Sequence, residues 1–100
     1  MPGARLVWDE AKRQANLAKH GLDFADAAWV LDSDIRYDVP RVRHGEHRVE
    51  SFAYVYGQLR VLMVVHVPGA PARIVSFRAA SAVERRKYHE WLETEYEETP

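Results

Sequence analysis

Residues 46–78 read EHRVESFAYVYGQLRVLMVVHVPGAPARIVSFR, and the division of this stretch decides the fold. Val, Tyr, Phe, Leu, Ile and Met fill most of it, while Gly57 and the run Pro68-Gly69-Ala70-Pro71 interrupt it. Branched and aromatic residues between turn formers read as strands. The reading is a three-stranded antiparallel meander over about 46–56, 59–67 and 72–79. Gly57-Gln58 is read as a two-residue turn, with glycine at the position that needs positive φ. Val55 then faces Arg60, Ser51 faces Val64 and Val49 faces His66. Side chains alternate between faces along a strand. One face carries Phe52, Tyr54, Tyr56, Leu59, Val61, Met63 and Val65, joined by Val75 and Phe77, and is expected to be the core face. The other carries His47, Ser51, Arg60 and His66 among Val49, Ala53, Val55, Leu62 and Val64, joined by Ile74, Ser76 and Arg78. The third strand returns Arg78 to the end of the sheet where Arg60 sits. Two guanidinium groups are therefore expected to converge on a half-apolar surface and form an anion site. A register slip of one residue would undo that convergence.

Upstream, Arg5-Leu6-Val7-Trp8 is a short edge strand in prospect. Asp9 is a helix N-cap candidate, Glu10 favours the first turn, and the helix is expected from Glu10 to His20, ending at Gly21. Ala11, Ala15 and Ala18 form a narrow small-residue face suited to close packing. Asp23 caps a second helix, Phe24 to Leu31, whose stripe is Phe24, Ala27, Ala28 and Leu31. Residues 32–45 read as a long basic loop with Pro40, Arg41, Arg43 and His44, holding at most a short strand around Ile35, Tyr37 and Val39. Downstream, Ser81-Ala-Val-Glu84 is a capping box that starts a helix over Ala82–Tyr96. Tyr88, Trp91 and Leu92 share one side of it, and Tyr88 reads as a core aromatic.

One hundred residues suit one domain with a modest core, so 1–100 is read as a single unit with an acidic tail from about residue 93. The chain has no cysteine, which excludes disulfides and thiolate metal sites. No run is long and apolar enough to span a bilayer, and MPGARLVWDE lacks the apolar core of a signal peptide, so the cytoplasm is the expected compartment. The net charge is −1, but Glu93, Glu95, Glu97 and Glu98 crowd the end, and without them 14 basic residues face 11 acidic ones. A mildly basic body is compatible with a polyanion ligand. His44-Gly-Glu-His47 follows no zinc spacing, and there is no Walker loop, dinucleotide fingerprint or Ser-His-Asp spacing.

Several blocks resemble a known family. Trp8-Asp9-Glu10-Ala11-Lys12-Arg13, Asn16 and Lys19-His20-Gly21-Leu22 resemble the opening of the BrnT toxins of type II toxin–antitoxin systems. Glu46-His47-Arg48, the run ending Val64-Val65-His66, Arg73-Ile74-Val75-Ser76-Phe77-Arg78, Glu84-Arg85 and Tyr88 resemble its later blocks. The likeness covers roughly residues 7–88. It implies a RelE-like α+β fold, with two N-terminal helices packed on an antiparallel sheet (a short N-terminal strand plus the three-stranded meander) and a C-terminal helix. It also implies an mRNA endoribonuclease that arrests growth, paired with a BrnA-like antitoxin through which operator DNA is bound. A homodimer or a hetero-oligomer with that antitoxin is compatible with it. The family pattern has Ile-Gly where this chain has Phe52-Ala53, and a small residue where it has Phe77.

Metal-free RNA cleavage needs a base for the 2′-OH, cations for the phosphate and an acid for the leaving oxygen. Arginine suits the middle task, because its planar fork grips phosphate in a bidentate way. Arg60 and Arg78 are the expected grip, and Glu46, His66 and His20 are the proton-transfer candidates. Arg48, Lys12 and Lys19 are candidates for holding the RNA backbone. Arg48 is favoured by the family blocks, although strand parity puts it on the core side near Val67. No metal or organic cofactor is expected. Two other classes remain open at this point: a non-catalytic module that only pairs with an antitoxin, and a DNA-binding regulator.

Overall fold

The computed structural model describes residues 5–96, and all statements of structure below refer to these. The chain is α+β, with a five-stranded mixed sheet and three α-helices. In chain order it runs β1 (Leu6–Val7), α1 (Glu10–His20), a 3₁₀ turn (Phe24–Ala27) leading into α2 (Ala28–Leu31), β2 (Tyr37–Arg43), β3 (Glu46–Val55), β4 (Arg60–Val67), β5 (Ala72–Ala79) and α3 (Ala82–Tyr96). The strand order is β1-β5-β4-β3-β2; β1 runs parallel to β5 and the other neighbours are antiparallel.

Capping sets the helix limits. Asp9 accepts the Lys12 amide at 3.1 Å, and Gly21 closes α1 with φ 71°. At α3 the capping box is reciprocal: the Ser81 amide donates to Glu84 Oε1 at 2.8 Å and the Glu84 amide donates to Ser81 Oγ at 3.2 Å.

The sheet is covered on both faces. On one, Leu22, Phe24, Ala27, Val30 and Leu31 pack on Ala53, Leu62, Val64, Ile74 and Phe77. On the other, Tyr88 of α3 packs with Phe52, Val61 and Met63, flanked by Trp91 and Leu92. The Tyr88 hydroxyl donates to Ile35 O at 2.7 Å and accepts from the Tyr54 amide at 3.2 Å, which pins α3 to β3. The second face is covered only in part, because α3 crosses one end of it.

Several expectations are corrected. The loop read over 32–45 contains a seven-residue strand, β2, paired with β3 along its whole length. It was hidden because Pro40, Arg41 and Arg43 interrupt the apolar alternation, and proline is tolerated on an edge strand. The tight two-residue turn is His44-Gly45, both at positive φ (51° and 77°). Gly57 instead lies in a helical turn over Tyr56–Gln58, with Leu59 left-handed at φ 56°. The Val55↔Arg60 pairing that closes this turn is nevertheless the expected one. Ala11, Ala15 and Ala18 are exposed, and α1 turns Asn16 inward instead. The 24–31 segment divides between 3₁₀ and α geometry, which buries Val30 alongside Phe24, Ala27 and Leu31.

The largest correction concerns β5. Val65 pairs with Ser76, yet its neighbour His66 pairs with Ile74, so Val75 is an extra residue in the ladder. One bulged residue exchanges the faces of everything that follows. Phe77 pairs with Val64 and is fully buried under the N-terminal helices, while Ser76 and Arg78 turn to the α3 face.

Candidate functional site

Residues directly opposite each other across an antiparallel pair share a face. Arg60 pairs with Val55, on the side of the N-terminal helices; Arg78 pairs with Met63, on the α3 side. The expected convergence of Arg60 and Arg78 does not occur. Arg60 is exposed beside the 56–59 turn, where its guanidinium meets Gln58 Oε1 at 3.1 Å.

A different cluster forms. Arg41 and Arg48 face each other across β2 and β3, Arg43 pairs with Glu46, and Arg73 pairs with Val67, all on the α3 side. With Arg78, which is clasped to α3 at Glu84, five arginines share this face, against Glu46, Glu50 and Glu84. Like charges placed directly opposite destabilise a strand pair, so Arg41 beside Arg48 is a cost borne locally. The sheet end holds a cavity of about 600 Å³ with Arg41, Arg43, Arg48 and Glu50 on its walls and Val65, Val75 and Ser76 below. A second cavity of about 320 Å³ adjoins it, sharing Arg41 and Glu50 and reaching Val83, Glu84 and Lys87 on α3.

The arginines are held in set directions. Arg78 forms a bidentate clasp on Glu84, at 2.8 and 3.0 Å, and also donates to Ala79 O at 3.0 Å. Hydrogen bonds from Arg78 bring the Glu84 carboxyl down to about 2, and the same clasp raises Arg78. Arg48 Nε donates to Glu46 Oε1 at 2.9 Å and Arg73 reaches Glu46 Oε2, which together hold the Glu46 carboxyl below its ordinary range. Arg41 Nε lies 3.3 Å from Glu50 Oε1.

Of the proton-transfer candidates, Glu46 is therefore on the arginine face. His20 ends α1 one turn beyond Asn16. The Asn16 side chain binds the β5 backbone at Phe77 twice, donating to its carbonyl at 2.8 Å and accepting from its amide at 3.1 Å, and also donates to Leu22 O at 3.0 Å. His20 is thereby brought towards the residue after Phe77. Burial, then the charges of Lys19 and Arg78, lower its pKa. His66 is elsewhere: it is 2% exposed on the side of the N-terminal helices. Its Nε2 lies 2.9 Å from Ser51 Oγ, which donates to Asp38 at 2.6 Å; Asp38 in turn is clasped by Arg36 at 2.7 and 3.0 Å. With the Ser51 proton committed to Asp38, Nε2 carries the imidazole proton and Nδ1 is left a buried lone pair without a partner among the described residues. Burial pushes His66 down to about 4. Lys12 and Lys19 are exposed on α1 and line neither cavity.

Strand parity missed Arg41, Arg43, Arg73, Glu50 and Ser76 as companions of Arg48. The basic run 41–43 was the available signal, obscured by its reading as loop. Among the described residues, no three His, Asp or Glu side chains group as metal ligands.

The sequence from Trp8 to Glu84 matches the family described as the ribonuclease toxin, BrnT, of type II toxin–antitoxin systems. The chain belongs to the BrnT family. No curated protein matches it in a direct search. The BrnT match takes in all five arginines of the cluster, together with Glu46, Glu50 and Glu84, and stops at the first turn of α3. A type II toxin family implies an antitoxin partner. No helix among the described residues is long and apolar enough to cross a membrane.

Proposed function

We propose that this BrnT chain, with a RelE-like arrangement of sheet and helices, is an endoribonuclease that cuts mRNA without a metal ion, arrests growth in the cytoplasm, and is silenced by a cognate BrnA-like antitoxin. The observation that carries this reading is the group of five arginines on one sheet face, three of which line a cavity of about 600 Å³. Arg48 and Arg78 grip the scissile phosphate, and Arg41, Arg43 and Arg73 follow the adjoining backbone, where phosphate contacts give affinity without sequence information. Glu46 aims Arg48 and Arg73. His20 lines neither cavity but lies close enough to Arg78 for that charge to add to burial in lowering its pKa. It takes the 2′-OH proton as the 2′ oxygen attacks phosphorus and returns it to the departing 5′ oxygen, leaving a 2′,3′-cyclic phosphate. Arginines supply the charge that a metal would otherwise supply to the pentavalent phosphorus. Arg60 and His66 have no part in this site.

The test is direct. Purified chain incubated with single-stranded RNA in excess EDTA should cut it, and prior addition of the antitoxin should stop the cutting. RNA that stays intact with EDTA and is cut on adding Mg²⁺ would overturn metal independence. A second reading is favoured by one observation: Arg41, Arg48, Arg73 and Arg78 are all already paired with glutamates. A face so neutralised suits a non-catalytic module that only binds an antitoxin, and such a module leaves RNA intact under every condition.

A further inference from the structure

The second cavity has a character unlike the first. At about 320 Å³ it sits at the low end of ligand pockets. Val39 and Phe52 form its floor and Val83 its α3 wall; Val83 is 53% exposed, a large apolar residue left open in the first turn of a helix. Tyr37 is held rigid at its edge by stacking on Trp91, with ring centroids 5.1 Å apart and 26° between planes. Flat apolar walls beside a run of cations suit an unstacked base whose phosphate lies next door.

Two carboxylates reach this cavity, and they are not equivalent. Both oxygens of Glu84 are held by Arg78, and one also by the Ser81 amide. Glu50 makes one ion pair among the described residues, to Arg41 at 3.3 Å, longer than the roughly 2.7–2.9 Å of a good charge-assisted bond. Its cross-strand neighbours, Val39 and Val65, offer it nothing polar. A carboxylate within an RNA groove repels phosphate, so its presence calls for a ligand rich in donors. Both cavities share it, so a base bound at Glu50 belongs to a nucleotide whose phosphate meets the arginines.

We propose that this cavity receives one RNA base beside the scissile phosphate, that Glu50 reads its hydrogen-bonding edge, and that the base selected is guanine. The proposal rests on the ribonuclease reading above and adds a specificity to it. An ionised carboxylate only accepts. Guanine presents N1–H and N2–H as two parallel donors, matching both carboxylate oxygens as an arginine fork does. Adenine and cytosine place a lone pair beside their single amino donor, and uracil flanks its N–H with two carbonyls. Each therefore sets a lone pair against the carboxylate.

Two measurements on the full chain separate this proposal from the reading it rests on. Oligouridylate carrying a single G, A or C is offered for cutting, and guanosine, adenosine, cytidine and uridine monophosphates are titrated while the Val39 and Val83 methyl resonances are followed. Cutting next to G should exceed cutting next to A or C by about tenfold or more, and in Glu50→Gln that ratio should collapse towards one whatever the overall rate. The guanosine nucleotide should bind tightest and shift both valines. Cutting without base preference, or a preference unchanged in Glu50→Gln, overturns the guanine pocket and leaves the nuclease standing. Tight guanosine binding at the valines without any cutting supports the pocket and overturns the nuclease. Nucleotide binding with no preference for guanosine overturns the pocket whether or not RNA is cut.

Discussion

The two faces of the sheet handle charge in opposite ways. On the face under α1 and α2, one chain of polar groups, Arg36–Asp38–Ser51–His66, runs inward from an exposed ion pair to a buried ring among apolar neighbours. On the α3 face, five arginines meet three glutamates at an open edge with two cavities. The same strands supply both, residue by residue in alternation. A sheet packed more closely on one side than on the other can therefore keep a rigid core and, a side chain away, a charged surface. Which arginine lies on which face decides the chemistry.

Exchanging the two originally paired arginines tests this contrast most severely. Arg78→Ala should lower kcat for RNA cutting by on the order of 10²-fold or more, the cost of removing a preorganised transition-state donor. Arg60→Ala, on the other face and exposed, should fall within about threefold of the parent. Growth arrest on expression gives a rapid readout, and circular dichroism checks that both variants fold. Equal losses from the two substitutions would mean the faces do not divide the function. Because Arg78→Ala also strands Glu84, Arg78→Lys is the informative companion: it keeps the charge, loses the fork, and should recover only part of kcat.

Second in size is the seam between α1 and β5. Asn16→Ala leaves the Phe77 amide and carbonyl and the Leu22 carbonyl without their side-chain partner in a buried setting. At about 1–3 kcal/mol for each unsatisfied group, partly relieved by relaxation, a loss of roughly 3 kcal/mol is expected in urea unfolding. Asn16→Asp keeps the acceptor, loses the donors and buries a charge, and should be no better. A change under about 1 kcal/mol in Asn16→Ala would show that water replaces the amide.

The closed face also predicts a pH dependence. His66 is neutral in the fold, with a pKa of about 4 against an ordinary value near 6.5. Because the folded value is depressed, the unfolded chain takes up the proton first, and stability falls as pH drops from about 6.5 towards 4. The loss is about 2 kcal/mol by pH 5 and approaches roughly 3 kcal/mol near pH 4. His20, also lowered, adds to the slope in the same window. The carboxylates Glu84 and Glu10 contribute only below about pH 4.5, since their folded values lie at about 2. His66→Gln should flatten the slope between pH 6.5 and 5, and a slope that survives it would assign the effect to another group.

Local signals were legible in the sequence wherever they were self-contained. Asp9 and Gly21 bounded α1, Ser81 and Glu84 started α3, and the Val55↔Arg60 register is the expected one even though the turn that joins those strands is of another type. Signals that depend on a neighbour were not. Nothing in Arg73-Ile74-Val75-Ser76 says that Val75 will be skipped by the ladder, yet that single residue moves Arg78 to the α3 face. Nothing around Asn16, which sits between Ala15 and Leu17, says that its amide will meet the backbone of β5. The site shares this limit: Arg48, Arg78 and Glu46 are candidates in the sequence, whereas Arg41 and Arg73 join them only through β2 and the bulge.

The smallest prediction concerns the far end of the sheet. Leu59 is 77% exposed and left-handed at φ 56°, a conformation that costs a residue with a Cβ about 1 kcal/mol relative to glycine. The turn is nonetheless closed by its amide, which donates to Val55 O at 2.8 Å and Tyr56 O at 3.2 Å. Leu59→Gly keeps that amide and removes the strain, at the expense of a more flexible unfolded chain, so the net gain should be only a few tenths of a kcal/mol to about 1 kcal/mol. The turn closes the β3–β4 hairpin on the side away from the arginine cavities, so cutting of RNA should not change with it. A Leu59→Gly chain that gains stability but loses activity would mean that the 56–59 end touches RNA, and that the division of labour between the two faces has been drawn too sharply.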